Sequence, residues 1–270
     1  MIIIGEKING SIPSMAKAIA EKNAEHIANL AKRQAEVGAT FIDVCASVDP
    51  AVELETLHWL IDVVQGATDT PIAIDSPNSK TCVDAIPFTK RVGLINSVSM
   101  EGDKIEQVFP VIANTKWEVV ALLNDDTGIT RDVDKRLSIF EATMKKAKEY
   151  GIAPNRLHID PLVQMLCTSE NGIENDVAVI KEIKAQYPDI HITGGASNIS
   201  FNLPARKFVN QGFMILAMNA GMDSAITDPL NRDMMGLIYA TEALLNQDEM
   251  CMEFISAYRE GIFGDPPKAK

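Results

Sequence analysis

The chain has 270 residues, 46% hydrophobic and only 6% aromatic. That is close to the ~250 residues typical of a (β/α)8 barrel, with a core built from Ile, Val, Leu, Met and Ala rather than stacked rings. Its 25 Lys and Arg against 37 Asp and Glu give a formal charge of −12, which argues against a nucleic-acid or anionic-membrane surface.

Met1 leads directly into the apolar Ile2-Ile3-Ile4, without a basic leader or small-residue cleavage site, so secretion is not expected. No apolar run approaches the ~18–20 residues that span a bilayer, and a cytoplasmic protein is expected. Seven further short apolar runs follow: Thr40–Val44, Pro71–Ile74, Val92–Ile95, Glu118–Leu123, Arg156–Ile159, Ile190–Thr193 and Phe213–Met218. Several are almost continuously apolar, as in strands buried on both faces. Between them lie stretches of helical period; Val133, Leu137, Phe140, Met144 and Ala147 line one face. Gly38, Gly151 and Gly212 stand where an αL cap would end a helix ahead of the next strand.

This alternation predicts a parallel sheet covered by helices, read here as a single (β/α)8 TIM barrel over residues 1–270. A last helix and short tail occupy about 232–270, ending in Asp265-Pro266-Pro267-Lys268. An open doubly wound sheet shares the alternation, but no GxGxxG follows the first strand.

Active sites of such barrels lie at the carboxyl ends of the strands, so the residue that stops each apolar run is informative. The stops are Asp43, Asp75, Asn96, Asn124, Asp160, Asn198 and Asn219. Asp and Asn are good helix caps and turn residues, which explains any one of them. Their recurrence at corresponding places points instead to a polar heterocycle held by hydrogen bonds, with carboxylates accepting from ring N–H groups and amides serving its carbonyl and bare nitrogens. A pterin has that mixture, whereas a phosphate-rich ligand would call for basic residues. Mouth carboxylates could also bind Mg²⁺ or Zn²⁺. Against that, Cys45, Cys82, Cys167 and Cys251 form no CxxC pair, and His26, His58, His158 and His191 no HxxxH or HExxH spacing. The cysteines read as reduced thiols, and no metal site is assigned. No Lys stands at a strand end for Schiff-base chemistry.

Five segments in order, Ile3-Ile4-Gly5-Glu6-Lys7-Ile8-Asn9-Gly10, Ile74-Asp75-Ser76, Leu94-Ile95-Asn96-Ser97, Ile159-Asp160-Pro161-Leu162 and Gly195-Ala196-Ser197-Asn198-Ile199-Ser200, resemble the pterin-binding methyltransferases that act on methyltetrahydrofolate and corrinoid proteins. Met218–Ile226 is similar to their region after the last strand. The resemblance implies a barrel, usually a homodimer, whose mouth holds tetrahydrofolate or 5-methyltetrahydrofolate as substrate while a separate corrinoid protein docks its cobalamin above. It implies that Asp75, Asn96 and Asp160 hold the pterin ring, that Asn198 lies near N5 as the catalytic amide, and that Asn202 and Arg206 make further folate contacts. Nothing here resembles the Asp-x-His-x-x-Gly cobalamin-binding motif, so the corrinoid is expected on the partner. The chain departs from the family at Asn124-Asp125-Asp126-Thr127-Gly128, where a basic residue is expected. The direction of transfer stays open.

Three rivals share parts of this reading. Dihydropteroate synthase has the same barrel, but its Asn-x-Thr-Pro-Asp-Ser-Phe loop is absent, with Asn9-Gly10-Ser11-Ile12-Pro13 in its place. A non-catalytic folate-binding protein would have a similar polar mouth, and turnover separates it from an enzyme. A metal-dependent lyase would be exposed by elemental analysis.

Overall fold

The computed structural model of the protein describes residues 1–265. Eight strands run parallel: β1 Ile2–Asn9, β2 Phe41–Cys45, β3 Ile72–Asp75, β4 Leu94–Met100, β5 Glu118–Asp125, β6 Leu157–Asp160, β7 His191–Ile192 and β8 Ser224–Thr227. They pair in the order β7-β6-β5-β4-β3-β2-β1-β8. The remaining edge is closed by Ile226 N–H donating to Gly194 O at 3.1 Å and Ala196 N–H donating to Ile226 O at 3.2 Å. Ten helices wrap the described barrel: α1 Pro13–Ala20, α2 Ala24–Glu36, α3 Pro50–Ala67, α4 Ser79–Ala85, α5 Lys104–Ile112, α6 Val133–Glu149, α7 Glu174–Gln186, α8 Arg206–Ala220, α9 Arg232–Leu244 and α10 Met252–Arg259.

Side-chain alternation along each strand divides the core in two. Ile42, Val44, Ile72, Ile74, Ile95, Val119, Ala121, Leu123, Leu157, Ile159 and Ile192 face outward into the helices. Ile4, Phe41, Ala73, Leu94 and Val120, with Ile2, Leu122 and Ile226, fill the lumen. Below them a polar plug stops the amino-terminal end. His158 is fully buried there; its Nε2 pairs with Glu118 at 2.7 Å and its Nδ1 with Ser224 Oγ at 3.0 Å. Burial holds the His158 pKa below its usual value, so the ring is neutral.

The last predicted strand is corrected. Phe213–Met218 lies inside α8, where Phe213, Met214, Ala217 and Met218 are buried while Ile215 and Leu216 are exposed, a helical rather than alternating pattern. Asn219 therefore sits on an exposed helix face, not at a strand end. Gly212 is interior to that helix, which ends at Gly221 with φ 121°; Gly38 and Gly151 do follow helices, at φ 92° and 69°. The true β8 offers only Ala225 and Ile226 as apolar residues, too few to stand out in the sequence. Met218–Ile226 accordingly spans the end of α8 and most of β8, rather than a region after the last strand.

The single last helix is also corrected to two. Between α9 and α10 the backbone takes positive φ at Asn246, Met250 and Cys251, and Asp248 accepts the Glu253 and Phe254 N–H groups at 3.0 and 2.9 Å. Residues 266–270, the rest of the expected tail, lie outside the described residues.

Candidate active site

The same alternation that points Phe41, Ala73 and Leu94 into the lumen carries Asp43, Asp75 and Asn96 to its upper end, since each stands two residues further on. Glu6 stands two beyond Ile4. Asp75 and Asn96 are register partners on β3 and β4, as are Cys45 and Asp75 on β2 and β3. Asn96 Nδ2 donates to Asp43 Oδ1 at 3.1 Å, and Asp43 also contacts the Asp75 carboxyl.

Burial dominates the electrostatics of this wall. It raises the Glu6 pKa to about 7, with Asp228 adding to the effect, and raises that of Asp75 to about 6 despite hydrogen bonds from Cys45 and Asp43. Asp43 is pushed well above the carboxylate range by burial and then by Asp75. The Cys45 thiol is also pushed up by burial, so it is a donor rather than a nucleophile.

Across the lumen, Asp160 ends β6 and is buried; it accepts the Leu162 N–H at 2.7 Å, and burial lifts its pKa to about 7. Its loop is anchored from below. Arg136 on α6, 1% exposed, donates to Pro161 O at 3.2 Å and to Asp176 of α7 at 2.6 Å.

β7 leads through Gly194 and Gly195 into a 3₁₀ turn at Asn198–Ser200. A Cβ on Gly195 would fall 2.9 Å from Asn198 Nδ2, so a side chain there would displace this amide from where it folds back. Asn198 is exposed, and its backbone N–H donates to Gly195 O at 3.1 Å. Arg206, at the start of α8, donates to Ser200 Oγ and Ser197 O, both at 2.9 Å, and its charge reaches Glu6 across the mouth. Asn202, at φ 64°, turns its amide toward Met165 Sδ at 3.7 Å, facing the loop after β6 rather than the carboxylates.

The structure thus gathers Asp75, Asn96 and Asp160 at the upper end of one lumen, with Asn198 and Arg206 on the turn and helix that follow β7. Two neighbours were not assigned to the site from sequence. Asp43 is visible as a strand stop, and Glu6 by its spacing from Ile2 and Ile4. Asn124, in the same register as Val120 and Leu122, is 8% exposed, and its Oδ1 has no hydrogen-bond partner among the described residues.

Of the acidic Asp125 and Asp126, the first has its charge balanced. Lys135 of α6 pairs with Asp125 at 2.5 Å and, by that hydrogen bond above all, holds its pKa down to about 2. Asp126 accepts the Gly102 N–H at 2.8 Å. Among the described residues no group of three or more His, Cys, Asp or Glu side chains is placed to hold a metal ion, and no helix is long and apolar enough to cross a membrane.

A mouth whose carboxyls titrate near neutrality can accept from N–H groups when ionised and donate when protonated, which suits a planar nitrogen heterocycle. The family model described as pterin binding enzyme matches residues 6–228. The chain belongs to the pterin-binding enzymes. This pterin-binding enzyme is 49% identical to the methylcorrinoid:tetrahydrofolate methyltransferase of Eubacterium limosum, over 100% of both chains. It is 28% identical to methionine synthase of Mycobacterium tuberculosis over 86% of its own length, but spans only 21% of that protein. In fold it is similar to dihydropteroate synthase of Xanthomonas albilineans in complex with 7,8-dihydropteroate, with TM-score 0.62 and 16% identity over 92% of this chain and 93% of that one.

Proposed function

We propose that the enzyme transfers a methyl group between the cobalt of a corrinoid protein and N5 of tetrahydrofolate. The observation that carries this reading is the meeting of Asp75, Asn96 and Asp160 at one end of a lumen with the exposed Asn198 amide beyond β7; the full-length likeness to a methylcorrinoid:tetrahydrofolate methyltransferase supports it. In this scheme Asp75, Asn96 and Asp160 hold the pterin ring, Asn198 attends N5, and Arg206 and Asn202 serve the folate tail at the rim. The cobalamin belongs to the partner protein and acts as substrate.

Methyl transfer between N5 and cobalt is an in-line displacement, so the enzyme contributes no nucleophile; it orients the ring and stabilises the changing charge on N5. Mixing the protein with reduced cobalamin and 5-methyltetrahydrofolate, and separately with methylcobalamin and tetrahydrofolate, tests the reading. The cobalt spectrum should change in at least one direction, and silence in both would overturn it.

Asp160 should bind the ring as a carboxylate. The affinity of the wild type for tetrahydrofolate should then rise as pH increases through about 7, because the protonated acid must lose its proton to accept from the ring. Asp160→Asn should weaken binding ~10- to 10²-fold above that pH, the worth of one hydrogen bond to a charged group. It should also flatten the slope of log affinity against pH by one proton, leaving the shares of Glu6 and Asp75. Calorimetric titration between pH 6 and 8.5 reads both, and an unchanged affinity would remove Asp160 from the site.

We also propose a homodimer. Phe208 is 72% exposed, and with Ile215 and Leu216 it forms one uncovered apolar face of α8. Light scattering should give the mass of two chains for the wild type and of one for Phe208→Glu; a wild-type monomer ends this proposal.

A further inference from the structure

The wall formed by β2, β3 and β4 contains one polar side chain with no direct task in the scheme above. Asp43 is 1% exposed, deeper than either neighbour, and sits in register with Ala73. That small residue leaves room for Asp43 to reach over β3 to Asn96, two strands away, at 3.1 Å. Asp43 thus touches both ring-binding groups of the wall, Asp75 and Asn96.

The groups facing it are acids or neutral donors. Asp75, Glu6 and, beyond Asp75, Glu53 are acidic, and Cys45 is a thiol that donates to Asp75. The nearest cations act elsewhere: Lys7 is paired with Asp228 at 3.1 Å, and Arg206 is bonded to the turn after β7. Two touching carboxyls enclosed in this way cannot both ionise, so they share one proton. Burial decides where it rests: Asp43 is 1% exposed and lies deeper than the half-buried Asp75, so it is the harder of the two to ionise.

We propose that Asp43 is a positioning residue: protonated, it donates its O–H to Asp75 and accepts the Nδ2–H of Asn96 with its other oxygen, turning the Asp75 carboxylate and Asn96 Oδ1 toward the mouth as a pair of acceptors. This deepens the proposed function and rests on it for the identity of the ligand. The consequence is specific. With one Nδ2–H of Asn96 committed to Asp43, the Asp75 carboxylate and Asn96 Oδ1 address N–H groups of the reduced ring while the second Nδ2–H stays free to donate, and Asp75 needs no basic residue to fix its orientation.

The test uses two variants of the full chain. In Asp43→Asn, the side-chain N–H replaces the O–H toward Asp75 and the amide oxygen still accepts from Asn96. In Asp43→Leu both bonds are lost. Tetrahydrofolate should bind Asp43→Leu ~10- to 10²-fold more weakly than wild type, as when buried polar partners are left unpaired, while Asp43→Asn should recover to within ~3-fold. A role in packing alone predicts no such rescue.

A second measurement needs no ligand and covers failure of Asp43→Leu to fold. At about pH 7, above the titration of Asp75, the infrared difference between wild type and Asp43→Asn should contain a protonated-carboxyl C=O band that the variant lacks, with the Glu6 and Asp160 contributions common to both. Equal weakening in two folded variants, undiminished affinity of Asp43→Leu, or absence of that band would each overturn the assignment. If wild type itself fails to bind tetrahydrofolate, the proposed substrate is wrong, and the infrared band still decides whether Asp43 holds the proton.

Discussion

Asn198→Ala should lower turnover by ~10²–10³, the cost of removing one preorganised hydrogen-bonding group from a reacting centre, while changing tetrahydrofolate affinity little. The split follows from where Asn198 sits. In the proposed scheme ring binding rests on Asp75, Asn96 and Asp160, which the substitution leaves in place, whereas N5 changes its bonding and charge only as the methyl group moves. An amide can donate to a bare N5 and accept from a protonated one, so one side chain serves both directions of transfer. Folding should survive, because the turn is held by backbone bonds and Asn198 is exposed. Single-turnover mixing with methylcobalamin reads the chemical step and a separate titration reads affinity. Wild-type turnover in the variant would exclude the role.

Arg136→Ala should destabilise the fold by about 3–5 kcal/mol, because it leaves Asp176 buried without its partner. The carbonyl of Pro161 loses this donor at the same time, and that of Arg131 keeps only the Asn175 amide. The melting temperature should fall by roughly 10 °C for a chain of this size. The pH dependence has a definite sign. Burial, the largest influence on Asp176, already raises its pKa, and Arg136 is the main group opposing the rise. Without Arg136 the buried acid takes up a proton more readily, so the loss should be smaller at pH 5 than at pH 8. Arg136→Met combined with Asp176→Leu should recover most of the stability, since an apolar pair of similar volume needs no charge partner. Thermal melts of the three variants at both pH values suffice, and an unchanged melting temperature for Arg136→Ala would show that the pair contributes nothing. Because Pro161 directly follows Asp160, the alanine variant should also bind folate more weakly.

What could be read from the sequence followed the strength of the local signal. Strands such as Glu118–Asp125 and Phe41–Cys45 announce themselves because both their faces are buried, and the polar residue ending each run then marks the mouth. Asp75, Asn96 and Asp160 were legible for that reason. The eighth strand was not, because Ser224 and Thr227 are polar and buried, while the apolar Phe213–Met218 segment beside it belongs to a helix partly uncovered on its outer face. Propensity also favoured that outcome: Met, Leu and Ala are strong helix formers. Asp43 was legible as a strand stop but not as a member of the wall, since its link to Asn96 passes over an intervening strand. The balance of Asp125 by Lys135, ten residues later, needed the turn between them to be seen.

The lower end of the barrel, where His158, Glu118, Ser224 and Thr193 interlock, and the side chains that fill the lumen above it leave a ligand only the upper end. For the proposed reaction this fixes the traffic. The pterin would enter and leave by the same face that cobalt must approach, so the methyl group would travel along the barrel axis and not across it. The long folate tail has to leave sideways over the rim, beside whatever ground the corrinoid carrier occupies.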